Sequence, residues 1–311
     1  MILVAGSANL DFVVRAPHIP SPGETVLGRD FKTFPGGKGA NQAVACARAG
    51  GAPTHMLLAL GNDAFAAPIE ASLSEAQVQL HLVRVPQHPT GTAFICVSDE
   101  AENAITVAPG ANEHLQVSDL PPLTGFTHLL LQLETPLATV TAYAQAAKAQ
   151  GVTVVLNAAP AQTLPAELLD GVDVLVVNQG ELATVSGHNG SIAEALQCIT
   201  TPTVVVTLGH HGCVARRQSH WVLQPAFKVT PVDTTAAGDT FCGTLVAALA
   251  QGADMAQALR QASAAGALAC TQLGAQSSIP HAADVADFLA SQAREPSSSE
   301  LEALRNFCGL G

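Results

Sequence analysis

The sequence is short of charge and of aromatic rings. Of its 311 residues, 12% are charged and 4% aromatic, with a single Trp and a single Tyr. Basic side chains are scarcest: 13 Lys and Arg stand against 25 Asp and Glu, a formal net charge of -12, and the one adjacent basic pair is Arg216-Arg217. That scatter argues against a nucleic-acid or anionic-membrane surface. No apolar run reaches the length of a bilayer span. Met1-Ile2-Leu3-Val4-Ala5 lacks a basic start and runs straight into a strand pattern, so no secretory leader is read there. Cysteine occurs seven times, at 46, 96, 198, 213, 242, 270 and 308, an odd number with no C-x-x-C. Buried thiols in a reducing, cytoplasmic setting are expected, not a disulfide framework or a zinc site. Also missing are G-x-x-x-x-G-K-[ST], a G-x-G-x-x-G between strand and helix, H-E-x-x-H and G-x-S-x-G.

What is present is apolar and small. Hydrophobic residues make up 48%, dominated by Ala, Val and Leu, as for helices packed on a buried sheet. The length suits one large α/β domain, or such a domain with an appendage. Ile2–Ala5 reads as a buried strand, followed by a turn-rich stretch to Phe34. A helix from about Ala40 closes at Gly50-Gly51. His55–Leu60 is strand-like and Ala64–Ser74 helical. Leu80–Val85, Thr92–Ser98 and Ala104–Val107 read as successive short strands, which predicts a small antiparallel sheet outside the main layer. From Thr127 strands and helices alternate, through Leu129–Leu133, Leu137–Gln150, Val152–Leu156, Val172–Val177, Glu181–Ile199 and Thr203–Leu208. A hairpin over Val214–Leu223 and Ala-rich helices over Phe241–Leu249 and Met255–Leu273 follow.

The predicted fold is therefore a doubly wound, mostly parallel sheet flanked by helices, with a small antiparallel β lid. The main domain spans residues 1–294, with lid segments at about 12–34 and 90–110. A tail over 295–311 is either flexible or docks a short helix through Leu301, Leu304 and Phe307. Ligands of such sheets sit beyond the carboxyl ends of the strands, where this chain places Asn9 and Asp11, Glu134, Asn157, Asn178 and Glu181, and Gly209.

The segment "VDTTAAGDTFCG", residues 232–243, carries the most chemistry. Asp and Thr suit a helix cap, but a cap needs one such residue, and here the whole approach is stripped of bulk. The N–H groups of Ala236, Ala237 and Gly238 are thereby open to an anion, and Asp239 follows at once. "GGKGANQA" at 36–43 is a second Gly-rich turn opening a helix, and places Lys38 where positive charge is mildly unfavourable.

Together these two segments resemble the signatures of the ribokinase-like carbohydrate kinases. The likeness covers roughly residues 2 to 290 and extends in family order to "SANLD" (7–11), "QLETP" (132–136), "NQGE" (178–181), "TLGHHG" (207–212) and "GAQSSIP" (274–280). It implies ATP-dependent phosphorylation of a sugar hydroxyl, with D-ribose as first acceptor. A nucleoside, fructose or another sugar is the alternative, and a non-catalytic sugar-binding relative is less favoured because Asp239 and Gly238 are both kept. By the same resemblance Asp239 is the catalytic base, and the backbone of Ala236, Ala237, Gly238 and Asp239 forms the anion hole. Asn9, Asp11, Gly37, Lys38, Asn41 and Glu134 grip the sugar, carboxylates accepting, amides doing both and Lys38 donating. Asn178, Thr207, Gly209, Gly212, Gly238 and Ser263 line ATP. Glu181 meets Mg²⁺ through water, although Asn178 and Glu181 fit a capping box equally well. Asp233, Thr235, Ala269, Gln272, Gly274 and Ser278 match a K⁺ loop. His210 and His211 are expected as exposed loop residues. Cys242 stands where many relatives carry Asn. The family also leads one to expect a homodimer through the lid.

Overall fold

The computed structural model describes residues 1–100, 102–292 and 296–310. Strand β1 (Ile2–Ala5) is buried at all four positions, as a strand covered on both faces must be. The chain then leaves the layer for β2 (Asn9–Arg15) and β3 (Arg29–Gly36), and returns through α1 (Lys38–Arg48), β4 (Thr54–Leu60), α2 (Ala66–Glu75) and β5 (Gln79–Arg84). A second excursion builds β6 (Gly91–Val97) and β7 (Asn103–Ala108). Alternation then resumes with β8 (His128–Leu131), α3 (Leu137–Ala149), β9 (Thr153–Asn157), α4 (Ala166–Gly171), β10 (Val174–Asn178), α5 (Gln179–Ser186), α6 (Ile192–Gln197) and β11 (Thr203–Thr207). The hairpin β12 (Gly212–Arg217) and β13 (His220–Pro225) precedes α7 (Ala237–Ala250), α8 (Met255–Ala269), α9 (Ala282–Ser291) and α10 (Ser298–Cys308).

The main sheet runs in the order β13-β12-β11-β10-β9-β8-β1-β4-β5. From β11 to β5 every neighbour is parallel, and the β12–β13 hairpin joins β11 antiparallel. The chain winds outward from β1 in one direction and from β8 in the other, so the crevice of a doubly wound sheet opens between those two strands. Alternate residues of each strand feed two separate cores. Val4, Leu58, Leu130 and Val155 join α1, α2, α7, α8 and α9 on one face. Leu3, Leu57, Leu129 and Val154 join α3, α4, α5, α6 and α10 on the other.

The small sheet has the order β3-β2-β6-β7. Its two antiparallel pairs meet along a parallel seam between β2 and β6. Phe12 stacks with Phe31 and Phe94 there, and Phe31, Phe94 and Ile105 are more than half exposed.

Some expectations shift. The strand read at Leu80–Val85 is β5, paired parallel to β4 at the edge of the main sheet rather than in the lid; its apolar run resembles the lid strands, and pairing alone tells them apart. Helices α4 and α9 were not anticipated, and α8 stops at Ala269. The tail docks a helix, with Leu304 and Cys308 buried, while the boundary expected at 294/295 lies outside the described residues. All seven cysteines are unpaired, and four of them are buried. No helix among the described residues is long and apolar enough to cross a membrane.

Candidate active site

The site begins with a close helix contact. A Cβ on Gly243 of α7 would lie 2.5 Å from the Gln42 carbonyl and 2.6 Å from the Ala45 Cβ of α1. Only Gly lets the two backbones meet there. One turn earlier on α7, Asp239 is thereby brought against α1. The Asn41 Nδ2 donates to its Oδ2 and the Gln42 Nε2 to its Oδ1, each at 2.9 Å. Gln42 also donates to the Asn157 Oδ1 (2.9 Å), and accepts from the Gln132 Nε2 (2.7 Å). A chain of buried amides thus fixes both oxygens of the carboxylate. The Asn41 Oδ1 is buried without a partner, an acceptor left open for a ligand donor.

Asp239 stands in the first turn of α7, whose cap is Ala236 in the left-handed region at φ 57°. That conformation is strained for any residue but Gly, and a small side chain limits the cost. The Ala237 N–H is donated to the Thr234 carbonyl at 3.2 Å. Of the four backbone positions expected to form the anion hole, Ala237 is therefore already engaged. The N–H groups of Gly238 and Asp239 have no acceptor among the described residues, and both residues line the cleft.

The cleft is lined by Lys38, Asn157, Asn178, Glu181, Thr207, Ala236, Gly238, Asp239 and Cys242. Across from Asp239, the Glu134 Oε2 accepts from the Ser7 hydroxyl (2.5 Å) and the Lys38 N–H (3.0 Å), which leaves its second oxygen free. Asn9 is buried and its Oδ1 accepts from the Asn112 Nδ2 at 2.8 Å, so its own amide N–H₂ remains to donate. Gly37 has φ 87°, and a Cβ there would lie 2.8 Å from the backbone of Ala8 and Asn9. The glycine is required by the chain itself, whatever a ligand requires.

Charges here are unbalanced. Lys38 is raised above the ordinary lysine range by Asp239 foremost, and by Glu134 and Glu181, against the opposing effect of burial. Asp11 is pushed up to about 7, first by burial and then by repulsion from Glu134 and Asp239. Burial also raises Glu181, although the Asn178 N–H and Lys38 pull it down. Asp239, Glu134 and Glu181 thus share the Lys38 ammonium, and Asp11 adds another acidic group against Glu134 and Asp239.

Glu181 and Asn178 form the capping box: the Asn178 N–H donates to Glu181 Oε2, and the Glu181 N–H to Asn178 Oδ1, both at 2.8 Å. Both residues line the cleft as well, and Glu181 keeps one oxygen unused. That lone carboxylate oxygen fits Mg²⁺, which retains waters. In the segment expected to hold K⁺, the Asp233 Oδ1 accepts from the Thr235 N–H (2.9 Å) and hydroxyl (2.6 Å), and its Oδ2 from the Gly274 N–H (3.0 Å). Partial burial pushes Asp233 up, but these bonds outweigh it and hold the carboxyl below its usual range. The Cys270 carbonyl accepts from both Val232 and Asp233, zipping the two segments together. Ala269 ends α8, and Gln272 and Ser278 lie in the segment that follows it; the ligands there would be oxygen only, as a hard cation requires.

Three residues expected to line ATP are absent from the cleft lining. Ser263 on α8 lies 3.5 Å from the Cys213 thiol of β12. Gly209 and Gly212 flank a turn just beyond Thr207, with φ 56° and 111°. Sequence reasoning missed Ser7, Gln42 and Gln132. Gln42 stands inside the "GANQA" segment and only its helical neighbour Asn41 drew notice; Gln132 opens "QLETP".

Residues 1–282 match the pfkB family of carbohydrate kinases. The chain belongs to that family. Within it, the chain is 38% identical to a ribokinase of Haemophilus influenzae, over 93% of this chain and 98% of that one. A ribokinase of Bacillus subtilis is 37% identical, over 93% and 99%. Among solved structures, Arabidopsis thaliana ribokinase complexed with ribose and ATP superposes with a TM-score of 0.85 at 32% identity, covering 93% of this chain and 98% of that one. This pfkB carbohydrate kinase therefore shares its fold and nearly its whole length with those enzymes.

Proposed function

We propose that the protein is a ribokinase, transferring the γ-phosphoryl group of ATP to the 5-hydroxyl of D-ribose and releasing D-ribose 5-phosphate and ADP. The observation that carries this reading is the Asp239 carboxylate, held by Asn41 and Gln42 beside the free N–H groups of Gly238 and Asp239. A carboxylate has about four acceptor sites, and two are used, so a sugar hydroxyl can still bind. As the hydroxyl oxygen bonds to phosphorus and the bond to the ADP oxygen breaks, the hydroxyl proton passes to Asp239. Charge developing on the transferring group would be met by those two amides. Asn9, Asp11, Lys38, Asn41 and Glu134 provide the mixture of donors and acceptors that several vicinal hydroxyls demand.

Asn178, Thr207, Gly209, Gly212, Gly238 and Ser263 are assigned to ATP. Glu181 would hold Mg²⁺ through water, and Asp233 with Thr235, Ala269, Gln272, Gly274 and Ser278 would hold K⁺. Bound there, such cations would neutralise phosphate charge and steady the loop before α7. Two copies are proposed to pair through the exposed lid face of Phe31, Phe94 and Ile105. Seven unpaired thiols suit a cytoplasmic setting, and residues 1–294 form the kinase domain with the lid inserted.

A panel of sugars and nucleosides at saturating ATP tests the acceptor. D-ribose is expected to have the highest kcat/KM, and a nucleoside turned over faster than ribose would defeat the reading. Replacing K⁺ with a bulky organic cation is expected to lower the rate, and a monomeric mass in solution would rule out the lid dimer.

A further inference from the structure

The segment after Pro296 lies beyond the residues matched by the family, yet it is tightly built. Ser297 caps α10, its hydroxyl accepting the Glu300 N–H (3.3 Å) while the Glu300 carboxylate accepts the Ser297 N–H (2.8 Å). Gly309 closes the helix in the left-handed region at φ 73°. Leu304 and Cys308 are buried in the same core as Val214 of β12, and Trp221 and Leu223 of β13 pack against that core. A Cβ on Gly309 would come within 2.8 Å of Ser191, the cap of α6. The helix is thus seated on the sheet's outer hairpin and has one orientation.

That seating delivers Phe307 to the turn between β11 and β12. Its ring stacks on His211, with centroids 3.9 Å apart and planes at 22°. His211 in turn lies 4.1 Å from the ring of His210. The turn starts two residues after Thr207, which lines the cleft. Its own backbone bonds, Leu208 N–H to the Gly212 carbonyl (2.8 Å) and His211 N–H to the Leu208 carbonyl (3.1 Å), close it from within. Two glycines at positive φ would otherwise leave it free to move.

We infer that α10 is a clamp on the nucleotide-binding turn, and that Phe307 is a positioning residue for ATP acting through His211. The inference rests on the assignment of Thr207, Gly209 and Gly212 to ATP made above. A turn already ordered costs the ligand less conformational entropy on binding. The sugar residues Asn9, Asp11 and Lys38 come from β2 and α1, far from α10 in the strand order, so the clamp acts on ATP and leaves ribose alone. Phe307 is itself 40% exposed, so its truncation removes the stack with little loss of core.

The test compares Phe307→Ala, Phe307→Tyr, His211→Ala and the double Phe307→Ala/His211→Ala, reading KM for ATP, KM for ribose, kcat and Tm. Loss of one aromatic stack corresponds to roughly a threefold to tenfold rise in KM for ATP. Phe307→Ala is expected to show that rise with KM for ribose within about twofold, and Phe307→Tyr to restore the wild-type value. The double variant is expected to be no worse than His211→Ala, because the two rings act as one unit. If His211→Ala raises KM for ATP and Phe307→Ala does not, the clamp is wrong while the turn still contacts nucleotide. If neither changes it, the assignment of the turn to ATP falls as well. A parallel rise in both KM values with a lowered Tm makes Phe307 a stabilising residue only, and also overturns the inference.

Discussion

The two faces of the sheet are packed by different means. On one face α1, α7 and α8 meet through Gly and Ala: Ala40, Ala43, Ala45, Ala247, Ala262 and Ala265 are all fully buried. On the other face Leu, Val and Tyr143 fill the space between α3, α4, α5, α6 and α10. Small residues bury less apolar area per helix, but they let backbones approach closely enough for Asn41 and Gln42 to reach Asp239. Large residues contribute more to stability and fix nothing to within hydrogen-bond distance of the carboxylate. One face is built for placement, the other mainly for cohesion.

Substitutions should separate the two roles. Gly243→Ala is expected to do the most harm, since its Cβ would strike the Gln42 carbonyl. Overpacking of about 1–3 kcal/mol exceeds the roughly 1 kcal/mol gained in helix propensity. Turnover should fall more than about tenfold as Gln42 leaves Asp239, and equal kcat in a folded Gly243→Ala protein would break the comparison. Gln42→Leu removes one grip and leaves the helices in place, so kcat should drop by about ten- to hundredfold with KM for ribose little changed in steady-state kinetics.

Asp11→Asn probes the cost of crowding acids around the carboxylate that the close-packed face places. Asp11 is raised from 3.8 to about 7 in the folded protein, so its contribution to stability is present below about pH 4 and is lost as pH rises through about 7. The variant should therefore gain more in Tm at pH 8 than at pH 5, by about 3 °C or more, while losing ribose affinity at both. Equal Tm gains in thermal scans would show that the carboxyl is not strained by its neighbours. The smallest effect on turnover belongs to the cohesive face. Leu196→Ala, from a fully buried site, should cost about 2–4 kcal/mol in denaturant titration and leave kcat at 25 °C unchanged.

Much of this arrangement was readable beforehand, for physical reasons. The strands β1 and β8 to β11 show as short apolar runs because both faces are covered, and Asp239 and Lys38 show because the chain gives up side-chain bulk around them. What the sequence hid lies in long-range pairing. Gln132, Gln42 and Asp239 are separated by 90 and 197 positions, and no local pattern announces that three side chains will form one chain of bonds. β5 looked like a lid strand because strand propensity carries no information on partner. Ala237 looked like a free amide until the turn at Ala236 aimed it at Thr234. The tail offered only three apolar residues at helical spacing, and its landing place, His211, is nearly a hundred residues away.

The most direct test of the whole account is Asp239→Asn, assayed for ribose phosphorylation and, in the same preparation, for ribose binding by calorimetry. The amide keeps the shape of the side chain and cannot take the proton. Turnover should fall by about a hundredfold to ten-thousandfold while ribose still binds. An Asp239→Asn protein that phosphorylates ribose at close to the original rate would contradict the assignment of the base, and with it the mechanism built on that carboxylate.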